Sequence, residues 1–396
     1  MTESTVILYS GKEKPVVNRH PWVFSGAIAR ILGNPEDGEL VTVADAAGTP
    51  LAKGYINRRS QIVVRLLTWN VDESIGDAFW LSRLERAMAS RRLLKLDQEG
   101  TTAYRLVNAE SDGLPGLIVD RYGPYLVVQF LTLGIERWRE SILDALEKLF
   151  QPAGIYERDD VPVRLKEGLD ERVGLLRGEE PPAELEITEK GRRFLVDVQR
   201  GQKTGFYMDQ RENRARVARY TSGREVLNCF AYTGGFSVYA GDAASIVNVE
   251  ASADALRLCE RNMALNGMGH IPTENVVGDV FQELRRYRSL GRRFDLVILD
   301  PPKFAASHAQ VMAATRGYKD INMLAMQLLR PDGLLATFSC SGQVSLDLFQ
   351  KVLFGASLDA GRDVQILEVL TQAPDHPILL SFPESAYLKG MICRVV

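Results

Sequence analysis

The chain has 396 residues, 45% of them hydrophobic and 25% charged, with a formal net charge of −3. This length suits two or three domains with a sizeable core, and the charge excludes a chain that is basic throughout, although a local basic face stays compatible with it. No apolar run reaches the ~20 residues of a membrane span, and the N-terminus lacks a signal-peptide layout. Four cysteines without metal-ligand spacing predict a cytoplasmic protein with no structural metal.

A small β domain is predicted over residues 1–72, because short apolar runs alternate there with Gly, Pro, Asn and Asp turns. The predicted strands are Thr5–Leu8, Leu40–Asp45, Leu51–Ile56 and Ile62–Leu67. From Asp45 to Leu67 the pattern D-x-x-G-x-x-x-A-x-G-Y-x-N, followed by S-x-I-x-x-R-L-L, resembles the PUA domain, a small RNA-binding barrel. Trp22 and Phe24 are expected to pack in its core, with stacking on an RNA base as the alternative.

Residues 73–190 are predicted to form a central α+β domain. Its first helix, from Asp77 to about Lys95, has an apolar stripe and four arginines, for which a solvated face is the default and a phosphate-facing surface the alternative. The charged segment 159–182 is rich in Pro and Gly and is interpreted as a linker. The remaining predicted elements are strands at Tyr104–Asn108, Leu117–Asp120, Tyr125–Phe130 and Gly154–Glu157, a helix at Glu136–Phe150, and a hairpin of Glu184–Glu189 with Arg193–Val198.

The last domain, residues 191–396, opens with the polar and aromatic segment 201–214, GQKTGFYMDQRENR. Asp209 is predicted to cap the helix that follows. A loop over the ligand edge of a sheet would have this composition, and a structural turn is the alternative. The side chains that offer hydrogen bonds, aromatic surface or charge are Gln202, Thr204, Phe206, Tyr207 and Arg211.

The stretch Glu225–Glu250 reads as strand, glycine turn, short helix and strand, ending in an acid. Gly234 and Gly235 let the backbone pass close to a ligand. A carboxylate about twenty residues past such a turn, at the carboxyl end of a strand, suits the two hydroxyls of a ribose. The turn spells neither G-x-G-x-x-G nor a P-loop, which lowers the expectation of a dinucleotide or a triphosphate.

Regular alternation of strands and helices continues to the C-terminus, so the predicted fold is α/β, a Rossmann-like doubly wound sheet. Its strand ends meet at one edge and carry Glu250, Asp279, Asp300 and Cys340. These ends suit S-adenosylmethionine better than NAD, because no pyrophosphate cradle is present. The predicted cofactor contacts are Gln202, Thr204, Phe206, Asn228, Phe230, Thr233, Gly234, Gly235, Glu250, Ala251, Asp279, Val280 and Asp300.

The predicted chemistry is pyrimidine methylation. Cys340 follows a strand among small polar residues, where a thiolate could add to C6 of cytosine or uracil and make C5 nucleophilic. Asp300 would hold or protonate N3 and disperse the developing charge. After Asp300 the prolines stiffen the loop, and Phe304 could stack on a flipped base. The predicted substrate contacts are Pro301, Pro302, Lys303, Phe304 and Arg211.

These motifs together resemble the RlmI-type bacterial 23S ribosomal RNA cytosine C5 methyltransferases. The resemblance runs nearly end to end, through GQKTGFYMDQR, LNCFAYTGGFS, LDPPKF and SCSG. It implies a class I methyltransferase sheet with a reversed last strand and S-adenosylmethionine as the donor. It also implies a nucleophilic cysteine at Cys340, an acid at Asp300, and cofactor contacts at Glu250 and Asp279. The resemblance does not identify the target nucleotide of this chain.

Three alternatives stay open at this point. An RNA methyltransferase acting on a purine nitrogen also uses Asp-Pro-Pro loops and needs no thiol. A non-catalytic RNA-binding assembly factor would keep only the fold. A NAD-dependent oxidoreductase is disfavoured by the missing phosphate fingerprint. The expected partner is 23S ribosomal RNA, with no membrane, and a homodimer is left open.

Overall fold

The computed structural model describes residues 4–305 and 307–396, which divide into two compact units. The first unit runs up to Lys190 and adds Val196–Met208 and Pro374–Ser385. The second unit contains Gly191–Leu195, Asp209–Ala373 and Ala386–Val396. None of the described helices is long and apolar enough to cross a membrane. The three-domain division at residues 72 and 190 stays a prediction.

The first unit begins with a six-stranded sheet in the order β2-β6-β5-β4-β1-β3. Its core is a cluster of branched aliphatic side chains, which suit a pleated, half-buried surface. The four predicted strands are present to within one residue, whereas β2 and β3 lacked a clear alternating pattern and were missed. The strands are β1 (Thr5–Leu8), β2 (Trp22–Phe24), β3 (Ile28–Leu32), β4 (Leu40–Ala44), β5 (Pro50–Ile56) and β6 (Ile62–Thr68).

The prediction for the aromatic pair in β2 is wrong for Phe24, which is 45% exposed at the end of an edge strand. Trp22 is half-buried, as expected of a packed ring. Its ring packs on Phe382 with centroids 4.6 Å apart, and its Nε1 donates to Glu110 Oε1 at 2.8 Å. The two rings differ in burial because of their positions on the edge strand β2. A run of three residues does not reveal those positions.

A second sheet of the first unit has the order β11-β10-β9-β8-β7, with helices α2 and α4 packed together beside it. The helix predicted over Glu136–Phe150 is confirmed as α4, which begins at Arg139 after the short helix α3. The elements are α1 (Lys14–Val17), α2 (Asp77–Arg92), β7 (Ala103–Asn108), β8 (Leu117–Tyr122), β9 (Tyr125–Phe130), α3 (Leu133–Glu136), α4 (Arg139–Phe150), β10 (Gly154–Arg158), α5 (Val163–Glu167) and β11 (Val173–Gly178).

The interpretation of residues 159–182 as a linker is wrong. The segment contains α5 and the edge strand β11, which pairs antiparallel with β10. Its charged residues misled the prediction because they are paired inside the fold: Arg164 and Asp159 are both fully buried and lie 2.6 Å apart. The hairpin that follows is confirmed as β12 (Leu185–Glu189) and β13 (Arg192–Val196).

The second unit is a seven-stranded sheet in the order β16-β15-β14-β17-β18-β20-β19. Strands β14 to β18 pair in parallel, and β20 is antiparallel to both of its neighbours. The α/β prediction and the reversed last strand are therefore confirmed. The elements are α6 (Arg211–Ala218), β14 (Glu225–Cys229), α7 (Gly235–Tyr239), β15 (Ser245–Glu250), α8 (Ala253–Leu265), β16 (Thr273–Val277), α9 (Val280–Ser289), β17 (Phe294–Leu299), α10 (Val311–Leu328), β18 (Leu329–Ser339), α11 (Leu346–Ala360), β19 (Val364–Thr371) and β20 (Lys389–Val395).

The helix cap predicted at Asp209 is wrong. Residues Met208–Gln210 form a 3-10 turn, and Gln210 stands before α6 without a side-chain cap. Asp209 Oδ2 instead accepts a hydrogen bond from Tyr387 Oη at 2.6 Å. A buried aspartate with a tertiary donor no longer serves the helix terminus, and the sequence does not reveal that donor.

Candidate active site

The parallel register brings the carboxyl ends of four strands to one edge of the second unit. Cys229 at the end of β14 stands opposite Val249 of β15 and Leu299 of β17. Leu299 in turn stands opposite Thr337 of β18. The loops that follow these residues carry the side chains singled out in the sequence, and ligands of open α/β sheets bind at such an edge.

The turn after β14 is built for close backbone approach. Phe230, Tyr232 and Gly234 have φ of 59°, 46° and 81°, a left-handed conformation that non-glycine residues rarely adopt. A Cβ on Gly234 would lie 2.4 Å from the Sγ of Cys259, so no larger residue fits without displacing that helix. Two strained non-glycine residues in one turn mark it as a functional candidate.

Glu250 is the acid at the end of β15. Its Oε2 accepts from the Tyr232 amide and its Oε1 from the Ser252 amide, both at 3.0 Å. These bonds fix a half-buried carboxylate beside the strained turn, with lone pairs left for a diol. Ala251, which follows, is exposed.

Asp279 also follows a strand, but one of its carboxylate oxygens caps a helix. Its Oδ1 accepts from the Gln282 amide at 3.0 Å and caps α9. The residue is exposed, so its other oxygen stays accessible. Val280 is buried in the core of the second unit, so its predicted contact with the cofactor stays a prediction.

The buried polar groups behind the turn fit a polar ligand. Asn228 Nδ2 donates to Ser237 Oγ at 2.8 Å and to Asn248 Oδ1 at 3.3 Å. Its own Oδ1 and the Oγ1 of Thr233 are buried and have no hydrogen-bond partner among the described residues. Buried polar atoms without partners are rare and point to a missing ligand or water. The residues present therefore fit a nucleoside-type cofactor at this edge.

Asp300 is held by a residue that sequence reasoning missed. Gln210 Nε2 donates to Asp300 Oδ1 at 2.9 Å, and Asn213 Nδ2 donates to Gln210 Oε1 at 2.6 Å. Both amides are buried. The only indication of Gln210 and Asn213 in the sequence was their place beside Arg211 in the segment 201–214. Asp300 lies 90 residues from Gln210, so the contact itself could not be predicted.

The loop after Asp300 divides into two parts. Pro301 is buried, whereas Pro302 and Lys303 are exposed. Phe304 is half-buried, and its ring packs on Tyr318 with centroids 4.6 Å apart. The ring is anchored on one side, so stacking on a base stays a prediction that requires its exposed side.

Cys340 differs from the other cysteines of the chain. It is half-exposed, and its Sγ lies 3.9 Å from the carbonyl oxygen of Pro301. Cys229, Cys259 and Cys393 are buried, and burial raises the pKa of each thiol. Only the thiol at Cys340 is therefore both accessible and next to the loop of Asp300.

The two loops are tied together through Ser341. The Ala305 amide donates to Ser341 Oγ at 3.2 Å, and Tyr318 Oη lies 3.0 Å from the same oxygen. Burial raises the pKa of Tyr318, so its hydroxyl stays protonated and serves as a fixed hydrogen-bonding group. The thiol and the acid thus stand on loops with a shared anchor.

The comparisons with known proteins agree with this geometry. The family of S-adenosylmethionine-dependent methyltransferases matches residues 164–389, and the PUA-like domain family matches residues 6–69. Ribosomal RNA large subunit methyltransferase I of Aeromonas salmonicida is 51% identical over 98% of both chains. That of Klebsiella pneumoniae strain 342 is 48% identical over 100% of both.

The chain belongs to the ribosomal RNA large subunit methyltransferase I family. Two solved structures share its fold over 99% of this chain and 100% of theirs. A methyltransferase complexed with SAH has a TM-score of 0.87 at 23% identity, and an S-adenosylmethionine-dependent methyltransferase from Streptococcus mutans has 0.85 at 22%. The predictions of the PUA-like start, the methyltransferase fold and S-adenosylmethionine are confirmed.

Some predicted contacts of this methyltransferase lie in the first unit. Thr204 Oγ1 donates to Asp120 Oδ2 at 2.7 Å, and the Phe206 amide donates to Tyr122 Oη at 3.1 Å. Gln202 Oε1 accepts from the Tyr207 hydroxyl at 2.5 Å. Within this unit these groups have structural partners, and their roles toward the donor stay predictions.

Arg211 lies in the second unit, where it is fully buried. Its Nε donates to Glu212 Oε1 at 3.3 Å. A guanidinium with no exposed surface does not present charge to an RNA phosphate, so its burial disfavours the predicted substrate contact. The sequence suggested exposure because the residue stands in a polar segment.

Proposed function

We propose that this methyltransferase transfers a methyl group from S-adenosylmethionine to C5 of a cytosine in 23S ribosomal RNA. The observation that carries the proposal is the accessible thiol of Cys340 on a loop anchored to that of Asp300, in a chain whose other thiols are buried. The names of its relatives support a large-subunit ribosomal RNA as substrate. The PUA-like match at residues 6–69 supports RNA binding.

Residues near the donor bind and orient it. Glu250 accepts the ribose hydroxyls, and the turn Phe230–Gly235 admits the amino-acid end close to the backbone. Asp279 offers its free oxygen to the adenine amino group. Bound there, S-adenosylmethionine supplies an electrophilic methyl group. Fixed partners for these side chains reduce the ordering cost of the reaction.

Cys340 and Asp300 act on the base. The Cys340 thiolate forms a bond to C6, and the electrons of the C5–C6 double bond make C5 nucleophilic. Asp300, held by Gln210, holds or protonates N3 and so disperses the developing negative charge. After C5 takes the methyl group and the donor leaves as S-adenosylhomocysteine, a base removes the C5 proton, the C5–C6 double bond reforms and the thiolate leaves.

The test is transfer of labelled methyl from S-adenosylmethionine to unmodified 23S ribosomal RNA, with the product digested to nucleosides. We expect label in 5-methylcytosine with the native protein and none with Cys340→Ala. A matched control is Cys393→Ala, whose thiol is buried and away from the reaction. Label in a purine, or equal activity in Cys340→Ala, would contradict the thiolate mechanism, and failure to bind the donor would favour a non-catalytic assembly factor.

A ribosomal RNA substrate implies a cytoplasmic site of action. A homodimer stays a prediction, which light scattering over a range of protein concentrations tests.

A further inference from the structure

Lys389 is a buried lysine that opens the reversed strand β20. It is 6% exposed and stands opposite Ser339 of β18, one residue before Cys340. Its Nζ donates to the carbonyl oxygens of Ser341 at 2.7 Å and Val344 at 2.5 Å. Both carbonyls belong to the loop 340–344, so the ammonium closes this loop around the cysteine.

The charge of Lys389 has no carboxylate to balance it. Its hydrogen bonds go to the two carbonyls, and no ion pair joins it to an acid among the described residues. Removing an ammonium from water is costly unless an opposite charge compensates. Burial, aided by the positive charge of Lys303, lowers the pKa of Lys389 to about 8, and a negative charge on Cys340 opposes that shift.

We propose that Lys389 is a positioning residue for the reaction: its ammonium fixes the loop 340–344 and stabilises the ionised thiol of Cys340. The inference rests on the proposed function, because it concerns the nucleophile of that reaction. The thiol proton leaves to water, and Lys389 stays protonated through the cycle near neutral pH. A cation beside a cysteine lowers its thiol pKa and raises the thiolate fraction that can attack.

Two groups face Cys340 from other elements: Lys389 from β20 and the protonated hydroxyl of Tyr318 from α10. Lys303, on the loop after β17, adds a positive charge near Lys389. Asp300 begins the neighbouring loop. Of the two lysines Lys303 is exposed and Lys389 buried, so Lys389 acts in the less screened environment.

Alkylation of Cys340 by iodoacetamide measures this effect without RNA or donor. The rate is followed against pH in the native protein, with Cys340→Ala as the background, since the other three thiols are buried. We expect a native apparent pKa below the ordinary thiol value of about 8.5. In Lys389→Met it should rise by about one unit or more, which slows alkylation near neutral pH about tenfold.

Two variants make the comparison specific. Lys351→Met, on the exposed face of α11, should leave the profile and the turnover unchanged. Lys389→Arg keeps the charge and should give an apparent pKa between those of the native protein and Lys389→Met. Equal profiles for the native protein and Lys389→Met would overturn the proposal. A native pKa at or above the ordinary value would overturn it even if Lys389→Met failed to fold.

Turnover supplies a second readout. With Lys389→Met we expect kcat to fall about tenfold near neutral pH and to recover as the pH rises and the thiol ionises. A merely structural role would lower kcat equally at every pH. If Cys340→Ala keeps its activity while Lys389→Met still shifts the alkylation profile, the proposed function fails and the effect of Lys389 on the thiol stands.

Discussion

Each unit of the protein contains a cluster of buried charge, and the two clusters are balanced differently. In the first unit Glu136, Glu157 and Asp159 lie with ligand atoms within 4.8 Å of one another. Arg164 pairs with two of these acids and Arg139 with Glu157 and Glu136. In this cluster, the carboxylate cluster, each acid lies against an arginine. Breaking such an arrangement by removing one partner is strongly destabilising.

In the strand-end site of the second unit, the ammonium of Lys389 has no carboxylate partner among the described residues. Two carbonyls hold it, the side-chain amide of Gln210 donates to Asp300, and the thiol of Cys340 is half-exposed. Dipoles fix the ammonium without neutralising it. The type of partner, rather than the degree of burial, therefore distinguishes a charged side chain that holds the fold from one that takes part in a reaction.

Asp300→Asn gives the largest expected effect and tests the chemical side. Loss of the acid that holds or protonates N3 should lower methyl transfer by roughly 100- to 10,000-fold, measured with labelled donor under single turnover. Donor affinity, measured by calorimetry, should stay nearly native because Glu250 and the turn Phe230–Gly235 are untouched. Substantial transfer activity in this variant would exclude the role at N3.

Arg164→Met tests the structural side. It leaves the fully buried Asp159 without its arginine and takes one of three arginines from Glu136, so the free energy of unfolding in urea should fall by about 3–5 kcal/mol. Arg172→Met is the matched control, because Arg172 is 54% exposed and pairs with the same Glu136. That control should change stability by about 1 kcal/mol or less. Equal losses in the two variants would show that burial does not distinguish them.

Glu250→Ala tests whether the acid of β15 binds the donor. Loss of a charged hydrogen-bond partner should cost about 1.5–3 kcal/mol, or roughly a 10- to 150-fold rise in Kd for S-adenosylmethionine. Calorimetric titration measures it, with Glu260→Ala on the exposed face of α8 as the control. An unchanged Kd in the first variant would count against the ribose contact.

The smallest change per measurement, taken over one pH unit, is the pH dependence of the carboxylate cluster. Burial, and then the hydrogen bond with Glu157, raises the pKa of Asp159 from 3.8 to about 9. Between these values the folded chain keeps a proton that the unfolded chain releases, so this group's contribution to stability falls as the pH rises. The slope is at most about 1.4 kcal/mol per pH unit.

Asp159→Asn removes that proton exchange, so its melting temperature relative to the native protein should rise between about pH 6 and pH 9. Asp160→Asn is the control, since the bonds from Arg158 hold the pKa of Asp160 below its usual range despite partial burial. Its stability contribution is complete above about pH 4, so its offset should stay constant over the same interval. Parallel curves for both variants would contradict the raised pKa.

The residues at the strand ends could be predicted from the sequence. Alternating strands and helices imply a parallel sheet, and its geometry places the ends of β14, β15, β17 and β18 along one edge. That is why Glu250, Asp300 and Cys340 could be chosen as candidates, and the structure places all three there.

The hydrogen-bond and ion-pair partners of these residues could not be predicted in the same way. Gln210 reaches Asp300 across 90 residues, and Lys389 reaches Ser341 across 48. The segment 159–182 was expected to be solvated because charged residues are usually exposed, yet its Asp159 and Arg164 contact each other inside the fold. Local composition carries no information about such pairings.

The sequence by itself therefore determined the class of fold, the order of the strands that carry chemistry and the residue types at their ends. These features depend on short-range periodicity, which the chain states directly. Tertiary structure decided which charges are neutralised and which are left active, from the buried Arg211 and Arg164 to the ammonium of Lys389. The reason is physical: the energy of a buried charge depends on its nearest partners, and folding alone brings those partners together.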